Sequence, residues 1–382
     1  MQVGTLVDWW RNFLKRLMPD DSRQITAYYD RRDLSMTAMQ TRPQGQTVMN
    51  PKLPIAEPGL LRTLALDAGN YDLKYWDGVG QPRAVRSMRY QLPTGRDPVK
   101  FTEASPLVEL PDGSRYHFGM QAYKYRRQQQ TVVENKVDLS KLHLYACLEP
   151  GNLQDGVCRL AMNLYVSTPE PQRHRSMIKE QLLGYHEFVR NEIPFEVTVE
   201  RVEIEREGLG AYRTAKRMGL IANTGYTIVI DLGGGTWLSR LIDADGEVID
   251  ENVMDRGGSY DLATSISFDK RLANALGTTA DPGIIMDGFR SGHIYADSGF
   301  GWGDWLDEYL DPWYKNIFRM VKSQYTPFMP RVTRFLVTGG SSHLIADRFA
   351  GFPLFAVMPD PQFANVRGLY PVEELQRCMT TN

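Results

Sequence analysis

Cysteine is scarce. The 382-residue chain has three, Cys147, Cys158 and Cys378. None forms a C-x-x-C pair, and their spacing suits neither a zinc site nor a disulfide framework. A reducing, cytoplasmic setting is the expectation. No apolar run approaches membrane-spanning length. Asp8, Arg11 and Lys15 interrupt the apolar residues near the start, so no signal peptide is expected there. A surplus of one charge is also missing. The net charge is −2, so no global field favours nucleic acid. The motif G-x-x-x-x-G-K-[ST] does not occur, which disfavours a P-loop ATPase, and there is no H-E-x-x-H. Gly299, Gly301 and Gly303 do not follow a strand, as a dinucleotide fingerprint requires. No internal repeat and no long low-complexity tract is visible.

What is present begins with an extension, residues 1–59. In "TLVDWWRNFLKRLM" (Thr5 to Met18), Leu6, Trp10, Phe13 and Leu17 recur at helical spacing, with Trp9 and Leu14 beside them. Asp8, Arg11, Asn12, Lys15 and Arg16 take the other face, so an amphipathic, basic helix is expected. Such a face suits an anionic lipid surface. Docking on protein, with the two tryptophans as anchors, is the plainer reading. Thr41 to Gly59 is rich in Pro, Gly and Gln and reads as a linker.

From Leu60 onward, strand and helix patterns mix, which argues for an α/β fold. Strands are expected at "TLALDAGN" (Thr63 to Asn70), in "YDLKYW" and near Arg83 to Met88. Others are expected at Leu160 to Thr168, Phe195 to Arg206, on both sides of "GGG", and from Arg334. Asp77-Gly78, Asp112-Gly113 and Asp245-Gly246 signal hairpins. Helices are expected from Gln121, over Ser140 to Leu148, 172–182 and Gly208 to Gly219, and at 258–276 and 303–324. The Trp- and Tyr-rich run Phe300 to Phe318 has helical spacing, so core packing is its default reading. "YKYRRQQQ" (Tyr123 to Gln130) interleaves aromatic and basic residues. A solvated helix face is its plainer reading and a nucleic-acid or filament contact the sharper one.

Chemistry gathers in three stretches. "LDAGNYDLK" reads D-x-G-x-x-x-x-K, with Asp67, Gly69, Asn70 and Lys74. "IDLGGGT" carries Asp231, Gly233, Gly234, Gly235 and Thr236. "VTGGSS" carries Gly339, Gly340 and Ser341. The first two are a buried strand ending in aspartate, a glycine turn and a returning strand. Such turns present backbone N–H groups to phosphate oxygens, and glycine allows close approach. Aspartates at strand ends suit Mg2+, which rides on a nucleotide's phosphates and takes few protein carboxylates. Lys74 offsets phosphate charge. Gly339 and Gly340 let a base and ribose lie flat against a helix start. One glycine turn alone is as readily a structural bulge; the three in order carry the argument.

These elements resemble those of the actin-like ATPase superfamily, and most of all the ParM-type plasmid-segregation actins. The resemblance runs from about Leu60 to the end. "FGMQAYKYRRQ", "LYVSTPE", "VEIEREGLGAY", "RGGSYDLATSI" (with Gly257 and Gly258) and "ANVRGLY" resemble further segments of these proteins. The resemblance implies a duplicated, ribonuclease H-like two-domain α/β fold with nucleotide in the interdomain cleft. One domain would be 60–225 with 359–382 returning to it, the other 226–358. It implies that Asp67 and Asp231 hold Mg2+ through water, and that Gly69, Asn70, Lys74 and Gly233 to Thr236 contact phosphates. Gly257, Gly258, Gly339, Gly340 and Ser341 join the nucleotide site. The resemblance further implies that Glu207 orients the attacking water, since relatives place that acid in this segment and Glu207, unlike Glu200, Glu203 and Glu205, is followed by "GLGAY"; a solvated strand face is the plain reading of that acidic run. Relatives often carry an aspartate two residues after the threonine of the second loop, where this chain has Leu238. Asp72 takes a polar role in the first loop or caps its turn.

The activity implied is ATP or GTP hydrolysis coupled to filament assembly for plasmid segregation. The partners implied are further copies of the chain and a DNA-binding adaptor of the ParR type on plasmid DNA, with no direct sequence-specific DNA binding. A membrane-attached scaffold using residues 5–18 is an alternative. A non-polymerising small-molecule kinase is another, although no substrate-activating aspartate stands out. Too few residues follow Gly340 for the peptide-binding domain of a heat-shock chaperone.

Overall fold

The structure is a computed structural model, and residues 61–98, 100–125 and 137–373 are described. The chain divides into two units, Met1–Glu57 and Pro58–Asn382. The expected helix at 5–18, the linker and the side chains of Tyr123 to Gln130 lie outside the described residues. The account below concerns the second unit.

The described residues form two sheets. The first holds β1 (Leu61–Ala68), β2 (Asp72–Trp76), β3 (Arg83–Arg86), β4 (Arg89–Leu92), β5 (Leu107–Glu109), β6 (Arg115–Phe118), β7 (Cys158–Thr168), β8 (Gly184–Arg190) and β9 (Ile193–Arg206). The second holds β10 (Tyr226–Leu232), β11 (Trp237–Ile242), β12 (Val248–Met254), β13 (Val332–Thr338) and β14 (Phe355–Val357). Part of the first sheet runs β3-β2-β1-β7-β9, and the whole second sheet runs β12-β11-β10-β13-β14. In both, the first three strands pair antiparallel and the last two join in parallel. The chain is therefore duplicated in topology, although no repeat is visible in its sequence.

The central strands are apolar because both their faces are covered. In β10, Ile228, Val229, Ile230 and Leu232 have no exposed surface. Burying each such side chain stabilises by about 1.5–3 kcal/mol. Two helices link the sheets. Leu209–Arg217 places Leu209, Ala211, Tyr212 and Ala215 in one core with Val229, Ile242 and Leu336 of the second sheet. Ala364–Leu369 places Val366 and Leu369 against Ala65 of the first. The helices touch backbone to backbone. A Cβ on Gly210 would lie 2.1 Å from the Asn365 carbonyl oxygen, and one on Gly368 would lie 1.8 Å from that of Gly210.

The expected strands and hairpins are present, with some differences. The expected helix at 258–276 is two, Ser259–Ser267 and Lys270–Leu276. Asp269 breaks it and caps the second, its side chain accepting from the Arg271 amide at 2.7 Å. The helix expected at 303–324 is Asp307–Tyr325, preceded by a short 3-10 turn. Its Leu310, Tyr314, Ile317 and Phe318 are buried, as core packing requires. β8 was not anticipated, because its inward positions include polar His186 and Arg190 beside Phe188. The helix Pro282–Gly288 was not anticipated either, since its glycines are poor helix formers. Its signal was Asp281 before Pro282, and the Asp281 carboxylate accepts from the Gly283 amide at 2.7 Å.

Candidate functional site

β1 and β10 occupy the same place in the two sheets, and each ends near an aspartate. The turns that follow are built alike. The Gly69 amide donates to the Asp72 carbonyl at 3.1 Å, and the Gly233 amide to the Thr236 carbonyl at 2.9 Å. A Cβ on Gly69 would lie 2.7 Å from the Asp72 oxygen, and one on Gly233 would lie 2.8 Å from the Thr236 oxygen. Both turns therefore need glycine for one reason: a side chain would collide with the carbonyl that closes the turn.

The two turns face each other across a cleft. A Cβ on Gly234 would lie 2.9 Å from Tyr71 Cβ. The cleft is lined by both turns with Asp67, Lys74, Glu207, Asp231, Gly340 and Ser341. Gly69, Asn70, Gly233, Gly234, Gly235 and Thr236 line it too. Gly257, Gly258 and Gly339 stand behind the wall. Gly258 braces the second turn, where its Cβ would lie 2.5 Å from the Gly234 oxygen, and the Tyr260 amide donates to that oxygen at 2.7 Å. Gly339, with φ of 89°, lets β13 pass so close that a Cβ would lie 2.3 Å from Asp231 Oδ1. Ser341 locks the third stretch onto the second turn through its amide to the Leu232 carbonyl, 2.9 Å, and its hydroxyl to the Gly233 carbonyl, 3.1 Å. After Gly340 the chain enters a 3-10 turn, Ser342–Ile345, that runs directly into a short α-helix, Ala346–Phe349.

Charge is concentrated at the base of the cleft. Lys74 Nζ pairs with Asp67 Oδ2 at 2.7 Å. Burial works against the Lys74 ammonium, but Asp67, with Asp231 and Glu207, more than offsets it and holds Lys74 above the ordinary lysine value. Asp67, Asp231 and Glu207 thus gather around Lys74, with the Arg240 guanidinium also interacting with Glu207 and Asp231. Among the described residues no cluster of three or more potential metal-ligating side chains occurs. Asp67 and Asp231 are the carboxylates at the two strand ends, and an ion carried on a nucleotide takes few protein carboxylates.

Asp67 also reaches across the molecule. Its Oδ1 accepts from Ser167 Oγ at 2.8 Å, Ser167 Oγ accepts from Asn365 Nδ2 at 3.1 Å, and Asn365 Oδ1 accepts from the Gly208 amide at 3.2 Å. This chain joins the first aspartate to the residue after Glu207. At the mouth, the first turn and the helix Pro282–Gly288 are bridged by ion pairs. Arg290 Nη1 meets Asp72 Oδ2 at 3.2 Å and Arg86 Nη2 meets Asp287 Oδ1 at 2.6 Å. Tyr71 donates to Asp287, and the Arg86 guanidinium lies 3.9 Å from the Tyr71 ring centroid. Sequence reasoning missed Arg86, Ser167, Arg240, Asp287, Arg290 and Asn365. Ser167 and Asn365 lie within "LYVSTPE" and "ANVRGLY" with no role read for them, and the others come from distant segments that no local motif marks.

Residues 65–210 match the family of the N-terminal domain of actin-like proteins. No curated protein sequence matches the chain. Among solved structures, an archaeal actin homologue superposes with a TM-score of 0.67 at 20% identity, covering 83% of this chain and 100% of its own. The chain has the actin-like fold. The same archaeal actin homologue in complex with ADP superposes with a TM-score of 0.64 at 19% identity, over 83% of this chain and 100% of that one. A 15-stranded ParM filament from Clostridium botulinum superposes with a TM-score of 0.61 at 13% identity, over 83% of this actin-like chain and 99% of the ParM chain. The expected α/β, two-domain actin-like fold and the resemblance to ParM-type actins are both met. No helix among the described residues is long and apolar enough to cross a membrane.

Proposed function

We propose that this actin-like chain binds a Mg-nucleoside triphosphate, ATP or GTP, in the cleft, hydrolyses it, and couples the nucleotide state to filament assembly. The observation that carries this reading is the pair of identically built glycine turns, facing each other over Asp67, Lys74 and Asp231. The family match and the ADP-bound and filamentous relatives support it. Phosphoryl transfer of this kind depends on positioning and charge neutralisation more than on covalent chemistry.

In this reading the amides of Gly69, Asn70 and Gly233 to Thr236 cradle phosphate oxygens, and Lys74 neutralises them. Asp67 and Asp231 would hold Mg2+ through water, an ion that offsets charge on the phosphates. Glu207, at the inner wall, orients the attacking water. Gly340 and Ser341 form the floor for the nucleoside, with Gly257, Gly258 and Gly339 shaping the wall behind. The moving parts are 60–225 with the returning 359–382, and 226–358. Closure around nucleotide biases the contacts between subunits. The cargo is plasmid DNA, held through a DNA-binding adaptor, and the setting is the cytoplasm.

The test is light scattering and phosphate release followed together in Mg-ATP, Mg-GTP and Mg-ADP. Scattering that rises with triphosphate and decays as phosphate appears is expected. Nucleotide binding with no assembly, across salt and protein concentration, would replace the filament reading with a non-polymerising kinase or scaffold.

A further inference from the structure

Arg240 lies on β11 with no exposed surface. It shares a strand face with Leu238, two residues before it, which lines the cleft. Its contacts are not with its own sheet alone. Nε donates to the Glu207 carbonyl at 2.6 Å, and Nη2 to the Pro169 carbonyl at 2.8 Å. Those carbonyls end β9 and follow β7, the two parallel strands of the first sheet. Nη1 pairs with Glu251 on β12, and the same carboxylate meets Arg206 Nε at 3.3 Å. One guanidinium therefore ties the second sheet to both strand ends of the first.

The segment it holds has little freedom. The Glu207 amide donates to the Thr168 carbonyl at 3.0 Å. Gly208 has φ of 84°, and a Cβ there would lie 3.3 Å from Leu238 Cδ1. Burial pushes the Arg240 guanidinium down to about 10, with Arg206 adding to the shift and Glu207 and Asp231 opposing it. It stays a cation at neutral pH, fixed by planar donors that match two carbonyls at once. An apolar residue would fill this space without the burial of a charge, so packing does not account for an arginine here.

We propose that Arg240 is a positioning residue for hydrolysis: from the opposite sheet it fixes the Glu207 main chain at the depth where its carboxylate meets the attacking water. This rests on the reading of Glu207 given above. Arg240 touches no reacting atom. It makes the placement of Glu207 depend on the docking of β11 against the strand ends, so a shift between the sheets retunes the site.

The test compares wild type with Arg240→Met, which keeps length and the apolar stem, and Arg240→Lys, which keeps charge but reaches one carbonyl. Mg-ADP affinity is measured beside single-turnover phosphate release, well below each melting temperature. The expected result for Arg240→Met is Mg-ADP affinity within about twofold and phosphate release slowed about 100-fold, the scale of a 1 Å misplacement. Arg240→Lys falls between. In the Glu207→Ala background, Arg240→Met adds no further loss, which a merely structural role would not produce. Should Arg240→Met fail to fold, the Lys variant decides, and a Lys variant with full activity overturns the proposal. Undiminished release in Arg240→Met, or additive losses, also overturns it. A wild-type chain that binds nucleotide and never releases phosphate overturns the reading of the site itself, and the role of Arg240 with it.

Discussion

Lys74 and Leu238 stand at the same position in the two halves. Lys74 is in register with Asp67 across β1 and β2, and Leu238 with Asp231 across β10 and β11. Duplicated turns thus carry unlike partners. The first aspartate has an ammonium 2.7 Å away. The second faces a leucine that is almost wholly buried. In the proposed nucleotide site, phosphate charge would be met from the first turn, and the second turn would offer backbone amides and Asp231.

Replacing Lys74 tests this asymmetry. Lys74→Met leaves Asp67 buried without its cation, a change that costs about 3–5 kcal/mol when a buried pair is broken. The expected result is a lower urea midpoint with an unchanged slope. Lys74→Met with Asp67→Asn recovers much of the loss, and the double-mutant cycle measures the coupling. Additive losses would mean that the pair contributes nothing as a pair. Mg-nucleotide binding is weakened in both variants.

Glu207 and Asp231 separate by role. Glu207→Ala is expected to lower phosphate release by about 10²–10⁴-fold while nucleotide binding and assembly persist. Asp231→Ala is expected to weaken Mg-nucleotide binding itself, with less effect on nucleotide lacking the metal. Titration with a fluorescent nucleotide, with and without Mg2+, distinguishes the two. Normal hydrolysis in Glu207→Ala would remove that residue from the mechanism.

How much of this was legible in the sequence follows from how local each constraint is. Gly69 and Gly233 were readable because the carbonyl that excludes a side chain lies three residues along the chain. Asp67 and Asp231 were readable because they end apolar strands. Arg290, Asn365 and Arg240 were not, because their partners are at Asp72, at Ser167 and Gly208, and at Pro169 and Glu207. Only the fold brings those together. The duplication was hidden for a related reason. A sheet needs apolar residues in its central strands and glycine at its turns, and "LALDAGNYDLK" and "VIDLGGGTWLSR" meet that need with little in common beyond Asp and Gly.

Asp72 gives a pH dependence with a definite sign. Burial raises its carboxyl above the ordinary value, although Arg290 and Lys74 pull it down, and Asp287 adds to the rise. Arg86 Nε, at 3.5 Å, and Gln362 Nε2, at 2.8 Å, also face it. A raised carboxyl contributes stability that is full below its unfolded pKa, about 3.9, and is lost as pH rises through the folded value. Asp72→Asn should therefore melt above wild type at pH 7.5, and the gap should close as pH approaches 4. Melting curves across that range check it. A gap independent of pH, or of opposite sign at pH 7.5, would show that the ion pair with Arg290 outweighs the cost of burial.

The contact between Gly210 and Gly368 makes the last prediction. A Cβ at 368 would lie 1.8 Å from the Gly210 oxygen and 2.4 Å from its carbonyl carbon, so the obstacle is backbone and cannot rotate away. Gly368→Ala must push the helices Leu209–Arg217 and Ala364–Leu369 apart. Overpacking of this kind costs about 1–3 kcal/mol. The displacement also moves Asn365, whose amide and carbonyl groups join Ser167 to Gly208. Gly368→Ala should therefore lose stability and Mg-nucleotide affinity together, although the substituted residue lines no part of the cleft. A variant that melts earlier but binds Mg-nucleotide as wild type does would show that the two helices hold the sheets together without transmitting their spacing to Asp67.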